Sequence, residues 1–169
     1  VFNGTFSPVL SYYSPQSNIW KHIQAPAWST VNNGSYGGID ALGNRVFTTN
    51  MSTSGNDTQG IVEFDLDEET VKYLSGESLE DLTVGLDGFV YGFNGYAVYK
   101  YNPNSVEFIE SISIGAARSI AVDKNGHIFS ATWNGEINHY DERGNLVNSL
   151  NVGKSFNDIA LRQTGEIIM

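Results

Sequence analysis

Four glycines set the frame for this chain. Gly43 in IDALGNRVF, Gly88 in TVGLDGFVY, Gly126 in IAVDKNGHIF and Gly165 in IALRQTGEII each sit between two short apolar runs. They lie 45, 38 and 39 residues apart. A repeat of this length is one supersecondary unit that cannot bury its own apolar faces, so successive units must stack. The clearest unit is SIAVDKNGHIFSATWNGEINHYDERGNLVNSL, residues 119–150. It reads as four strands, Ser119–Asp123, His127–Trp133, Glu136–Tyr140 and Asn145–Leu150, joined by three tight turns. Asn134-Gly135 between strand-like runs predicts a type I′ hairpin, which needs positive φ at both central residues.

The other units follow the same plan. Phe93-Asn94-Gly95 and Phe2-Asn3-Gly4 match Trp133-Asn134-Gly135, and a polar loop, Ser52–Gln59, replaces that turn once. Outer strand pairs are expected at Val9–Ser14 with Asn18–Ile23, Ile61–Asp67 with Val71–Leu74, and Val98–Asn102 with Val106–Ile114. Their turns carry Pro15, Asp67-Glu68-Glu69 and Pro103-Asn104. Four strands per unit at a period near 40 mark a β-propeller blade. The expected fold is an all-β propeller of four blade equivalents, with units at 1–25 plus 157–169, 36–76, 80–114 and 117–152. The first unit is split between the two ends of the chain. Three arrangements satisfy that split: one chain closing a four-bladed ring, two chains closing eight blades, or a piece of a longer propeller. Head-to-tail completion of the split blade between copies of the chain is a further reading. Val1 stands where a full-length chain would begin with Met, so processing or a fragment is expected.

Nine basic residues face 19 acidic ones, a net charge of −10. Nucleic acid and anionic membrane surfaces call for a basic stripe, so neither is an expected partner. No apolar run approaches the roughly 20 residues that span a bilayer. There is no Cys, which removes disulfides, thiolate metal sites and Cys nucleophiles. Nine Tyr, nine Phe and 18 Gly suit short strands and tight turns.

The units IAVDKNGHIFSATWNGEINHYDERGNLV and LTVGLDGFVYGFNGYAVYKYNP resemble the NHL-repeat and gluconolactonase-like propellers. Those families repeat Asp, Gly, an aliphatic-aromatic strand, a short turn and a further strand ending in Asp and Gly. The resemblance implies a site on the face where the loops leading into each first strand meet the turns between second and third strands. Here that face holds 25–37, 75–81, 115–118 and 153–157, with turns at Asn3, 52–59, Asn94 and Asn134. It also implies a divalent cation, Ca2+, over the central channel of the enzymes. The matching positions here are Tyr36, Asp81, Arg118 and Asn157, with Asp158 adjacent. Asp81 and Asn157 are oxygen ligands suited to a hard cation, but Arg118 opposes one and Tyr36 is a poor ligand. The expectation is therefore no cofactor and no metal.

Arg118 has two readings. It grips a carboxylate or phosphate near the channel, or it pairs with Asp81 or Asp158, and the ion pair is the expected one. Trp28, Tyr36, Trp133 and Phe156 lie on or beside the same face, where aromatics stack on sugars, meet proteins or pack between blades. Trp20 lies within a strand and is expected in the core. Asp87 and Asp123 are expected to hold turns by accepting backbone N–H groups, on the opposite face. Asp65, Asp67, Glu68 and Glu69 read as a solvated edge. His22, His127 and His139 are not expected to converge, because residue 139 should oppose 130 rather than 127. No Ser-His-Asp constellation has supporting context. Four sequons, at Asn3, Asn33, Asn50 and Asn56, are acceptors if the chain is secreted. These readings together give a non-enzymatic module, extracellular or on the cell surface. Its expected partner is a protein, a glycan or another copy of the chain. A metal-dependent lactonase or lyase and a propeller lectin are the alternatives.

Overall fold

The computed structural model describes residues 9–24, 38–50, 60–75, 77–105 and 107–169. Trp28, Tyr36, the Ser52–Gln59 loop and the segment before Val9 lie outside them. Among the described residues there are strands and no helix. The first pair is β1 (Val9–Ser14) and β2 (Ile19–Gln24). One complete sheet then holds β3 (Ile39–Leu42), β4 (Arg45–Asn50), β5 (Gly60–Asp65) and β6 (Thr70–Ser75). The second holds β7 (Asp81–Val84), β8 (Val90–Phe93), β9 (Ala97–Tyr101) and β10 (Phe108–Ser113). The third holds β11 (Ser119–Val122), β12 (Ile128–Ala131), β13 (Glu136–Tyr140) and β14 (Leu146–Asn151). Last come β15 (Ala160–Leu161) and β16 (Ile167–Ile168).

Every pairing is antiparallel between strands adjacent in the chain. Each complete sheet therefore runs outward from its first strand. β1–β2 and β15–β16 are separate two-stranded sheets among the described residues. The expected junction of the chain ends involves residues outside that set.

The turns differ from the type I′ expectation. In Thr132–Gly135 only the glycine has positive φ, at 79°. The Gly135 N–H donates to the Thr132 carbonyl, and the Thr132 N–H donates to the Glu136 carbonyl. This is a type I turn closed by a left-handed glycine, the three-residue hairpin loop with a bulge. Gly88, Gly126, Gly144 and Gly165 close their turns with the same pair of bonds. Asp87 and Asp123 do hold these turns: Asp87 Oδ1 accepts the Phe89 N–H, and Asp123 Oδ1 accepts those of Asn125 and His127. The unit at 36–76 is the exception. Leu42 pairs with Arg45 across Gly43 and Asn44, and Gly43 alone has positive φ, which defines a two-residue type II′ turn.

Among the described residues the apolar side chains form separate clusters between consecutive sheets rather than one core. Phe47 and Ile61 meet Leu79, Leu82, Val90 and Tyr101 between the first and second complete sheets. Tyr91, Phe93, Val98 and Ile112 meet Ile120, Val122, Ile128 and Tyr140 between the second and third. Ile23 of β2 packs on Val62 and Phe64, and Ile159 packs on Ala121, Ala131 and Ile137. A sheet covered on both faces cannot alternate apolar with polar, so five consecutive residues of β5 are buried. Trp20 departs from expectation. It sits on the outer strand β2, tilted against Tyr13, and is 65% exposed. An outermost strand has little chain beyond it to cover a ring of that size.

Glu63 on β5 is 1% exposed and neither carboxylate oxygen accepts a hydrogen bond. By alternation it shares the face of Ile61, toward the second complete sheet. Arg45 Nη1 lies 3.7 Å away and Lys72 Nζ 3.9 Å. Arg45 also donates to the Pro103 carbonyl and the Asn104 side chain in the next sheet, so one guanidinium ties the two together. Removing one partner of a buried ion pair usually costs about 3–5 kcal/mol. Lys72 remains in this case, so Arg45→Ala is expected to cost about 2 kcal/mol in chemical denaturation. Glu63→Met, which removes the buried charge itself, should be near neutral. Equal losses in both variants would refute this role.

Candidate functional site

The inner strands β3, β7, β11 and β15 converge on one polar cavity of about 400 Å3. Gly38, Ile39, Glu80, Asp81, Thr83, Arg118, Ser119, Asn157 and Asp158 are among the residues that line it. Gly38 is required by closeness, because a Cβ there would collide with the Leu82 backbone N and the Asp81 carboxylate.

The hairpins fix which residues share a level. Val84 pairs with Val90, Val122 with Ile128, and Leu161 with Ile167. Counting back along each strand puts Asp81, Ser119 and Asp158 on one level. Glu80, Arg118 and Asn157 stand one level nearer the mouth. The sequence reading took Asp81, Arg118 and Asn157 as equivalents, so it slipped one residue in two units. The signal for the correct register was present: Asp81, Ser119 and Asp158 lie seven residues before Gly88, Gly126 and Gly165 respectively. The shorter Gly43-Asn44 turn moves the equivalent position in the unit at 36–76 to Ile39. Tyr36 lies outside the described residues.

The aspartates stitch neighbouring inner strands together. An inner strand has no ladder partner on its channel side, so its N–H groups there need acceptors. Asp40 Oδ2 accepts the Val84 N–H at 2.7 Å and the Thr83 hydroxyl at 3.3 Å. Asp81 faces the Ile120 N–H and the Ser119 side chain of β11, and both favour its charged form. Its Oδ1 also accepts the Leu82 N–H at 2.8 Å. Asp158 Oδ1 takes the Ser119 hydroxyl at 2.6 Å and the Ile159 N–H at 2.8 Å. Burial raises the Asp81 carboxyl above the usual carboxylate range; the Asp158 charge adds to this, while the hydrogen bonds oppose it.

Arg118 does not form the expected ion pair. Its guanidinium carbon lies 3.9 Å from the Trp133 ring centroid, stacked over the indole at the cavity lip. Oδ1 of Asp81 and Oδ1 of Asp158 each accept a backbone N–H, while the guanidinium lies on the indole instead. Trp133 is 64% exposed, and Tyr96, in the corresponding turn of the preceding sheet, is 69% exposed. Phe156 is half-buried against Ala121, Ala131, Ile137 and Ile159, so it packs between sheets.

The donor set does not fit a bound Ca2+. That ion takes six to eight oxygens, typically with bidentate carboxylates. Here Asp81 and Asp158 each commit an oxygen to a backbone N–H, and a guanidinium shares the cavity. The histidines also differ from expectation. Phe129, not residue 130, opposes His139, and His139 Nε2 lies 3.2 Å from His127 Nδ1. His22 stays apart on β2, 2.9 Å from the Ser11 hydroxyl.

No protein family and no curated protein matches the sequence. Solved structures do. A chain of the mitotic checkpoint complex is similar at 15% identity and a TM-score of 0.59, over 76% of this chain and 41% of its own. BamB from Moraxella catarrhalis is similar at 15% identity and 0.55, over 75% and 37%. Glutaminyl cyclase from Myxococcus xanthus is similar at 16% identity and 0.54, over 86% and 75%. The fold is a β-propeller. At these identities the likeness reaches the propeller fold and no single propeller subfamily. The chain spans well under half of the first two structures' own length.

Asp81 gives a pH prediction. Its folded pKa lies above the unfolded value, so the folded chain binds more protons between the two. Its contribution to stability is therefore fully present at low pH and lost as pH rises through the folded pKa. Asp81→Asn removes that slope. The melting temperature of the variant minus that of the wild type should increase from pH 4 to pH 7. A difference that stays constant across this range would refute the assignment.

Proposed function

We propose that this propeller is a non-enzymatic binding scaffold whose contact surface is the cavity lip built by Arg118 and Trp133. The observation that carries this reading is the stacked pair itself. Trp, Tyr and Arg are the residues that most often dominate binding energy, and a stacked guanidinium has already lost part of its rotamer freedom. Trp133 and Tyr96 present apolar surface beside Glu80, Arg118 and Asn157, so large rigid contacts stand next to polar groups of both signs. A protein segment or a glycan offers the matching chemistry, since both present apolar faces with hydrogen-bonding edges. The aspartates below have a structural use that needs no bound cation or reaction. The expected place of work is the cell surface or the extracellular space, with no cofactor in the central cavity. Of the sequons, Asn3, Asn33 and Asn56 lie outside the described residues.

The outer strands favour self-assembly as a second reading. Leu146, Val147 and Leu150 are exposed on the edge strand β14, and Phe108 and Ile109 on β10. Uncovered apolar edges are templates for pairing with another chain.

The test displays the protein against a glycan array and a random peptide library, with Trp133→Ala and Arg118→Ala alongside. Wild type should bind one of the two classes at micromolar concentration. Trp133→Ala should lose about tenfold or more, the size of a binding hot spot. No binding to either library, or full binding by Trp133→Ala, would overturn the proposal.

A further inference from the structure

His127 and His139 lie away from the cavity lip, on one face of the third complete sheet. His127 ends the turn after β11, and His139 lies on β13. Phe129 opposes His139 directly, so His127 is its diagonal neighbour, within reach of an imidazole. Two contacts fix the pair. The His139 ring stacks on Phe129 with centroids 4.5 Å apart and planes 5° from parallel. The His127 ring is flanked by two carboxylates, with Asp123 Oδ2 3.8 Å from Nδ1 and Glu142 Oε2 3.8 Å from Nε2.

We propose that His127 Nδ1 and His139 Nε2 form a chelate for a borderline divalent transition ion, Zn2+, Ni2+ or Cu2+. The two nitrogens are 3.2 Å apart and face each other. An ion about 2.0–2.1 Å from each would subtend an N–metal–N angle of about 100°, near tetrahedral. Without metal, one imidazole donates the N–H between them to the other; when the ion takes that place the donor ring changes tautomer through solvent, carrying its proton on its outer nitrogen, so both ligands stay neutral and no net proton is released. The Glu142 carboxylate then faces the remaining Nε2–H of His127. A carboxylate in that position holds a ligating imidazole in the right tautomer. The Asp123 charge and the net charge of −10 favour a cation. Among the described residues no three His, Asp or Glu side chains enclose an ion, so water completes the coordination. Imidazole pairs select transition ions, while Ca2+ and Mg2+ prefer oxygen. The bound ion would staple the turn after β11 to β13.

Zn2+ and Ni2+ titrated into the chain by calorimetry, in a buffer that does not chelate, provide the test. Wild type should take up one ion with micromolar affinity and melt at a higher temperature with either metal. His127→Gln and His139→Gln should each lose about tenfold or more, His22→Gln should not, and Ca2+ should give no shift. If either variant fails to fold by circular dichroism, the ring resonances of the wild type decide instead. Ni2+ should broaden those of His127 and His139 before that of His22. Absent uptake, unchanged affinity in the two variants, or equal broadening of all three histidines would overturn the site.

Discussion

Burial of each sheet on both faces is the constraint from which the rest of this structure follows. Among the described residues no helix covers a four-stranded sheet of this length, so its neighbours must. Phe47 and Ile61 lie on one face of the first complete sheet, and Val62 and Phe64 lie on the other. Each such side chain is worth about 1.5–3 kcal/mol when fully buried. Most of that is available only once consecutive sheets have docked. This explains the continuous apolar runs, the glycine turns and the polar ladder ends. It also sets where charge is tolerated. Glu63 is admitted to an inter-sheet layer with Arg45 and Lys72 beside it, and Arg45 links onward to the next sheet.

Stacked sheets leave a second problem at the channel. The first strand of each sheet has an unpaired edge there, and the edges of neighbouring sheets do not form a ladder. Asp40, Asp81 and Asp158 solve it with carboxylates that accept from neighbouring backbone and hydroxyl groups. The solution has a cost, visible in the raised Asp81 pKa. It also means that a cluster of acids around a propeller channel does not by itself signal catalysis. These carboxylates are occupied by the fold.

Much of this was legible in the sequence. Gly88, Gly126 and Gly165 gave the period and the hairpins, because only a left-handed residue closes these turns and glycine adopts that conformation without strain. The turn type was misread, because Asn-Gly is the signature of a two-residue loop while bulged three-residue loops use the same glycine. The site level slipped by one residue at Arg118 and Asn157. The stretches between successive units differ in length, so the level is fixed only by counting back from Gly88, Gly126 and Gly165. Trp20 was misplaced because its alternation fits a strand, yet alternation does not reveal whether a strand is inner or outer. The His127–His139 contact was missed because a bulged turn and a diagonal pairing together shift reach by more than one residue.

The repeat itself separates structure from chemistry. On the level of the stitches, Asp81, Ser119 and Asp158 are variations on one task, hydrogen bonding between adjacent inner strands. One level nearer the mouth, the same geometry holds Gly38, Glu80, Arg118 and Asn157: no side chain, an acid, a base and an amide. Packing accounts for Gly38, where a Cβ would meet the Leu82 backbone, but it does not account for three unlike side chains at Glu80, Arg118 and Asn157. The asymmetry gives the mouth of a nearly symmetric fold a direction, with the base stacked over an exposed indole on one side and the acid on another. A ligand that reads this ring must be asymmetric too. That requirement fits one end of an extended chain, peptide or glycan, better than a symmetric ion on the channel axis.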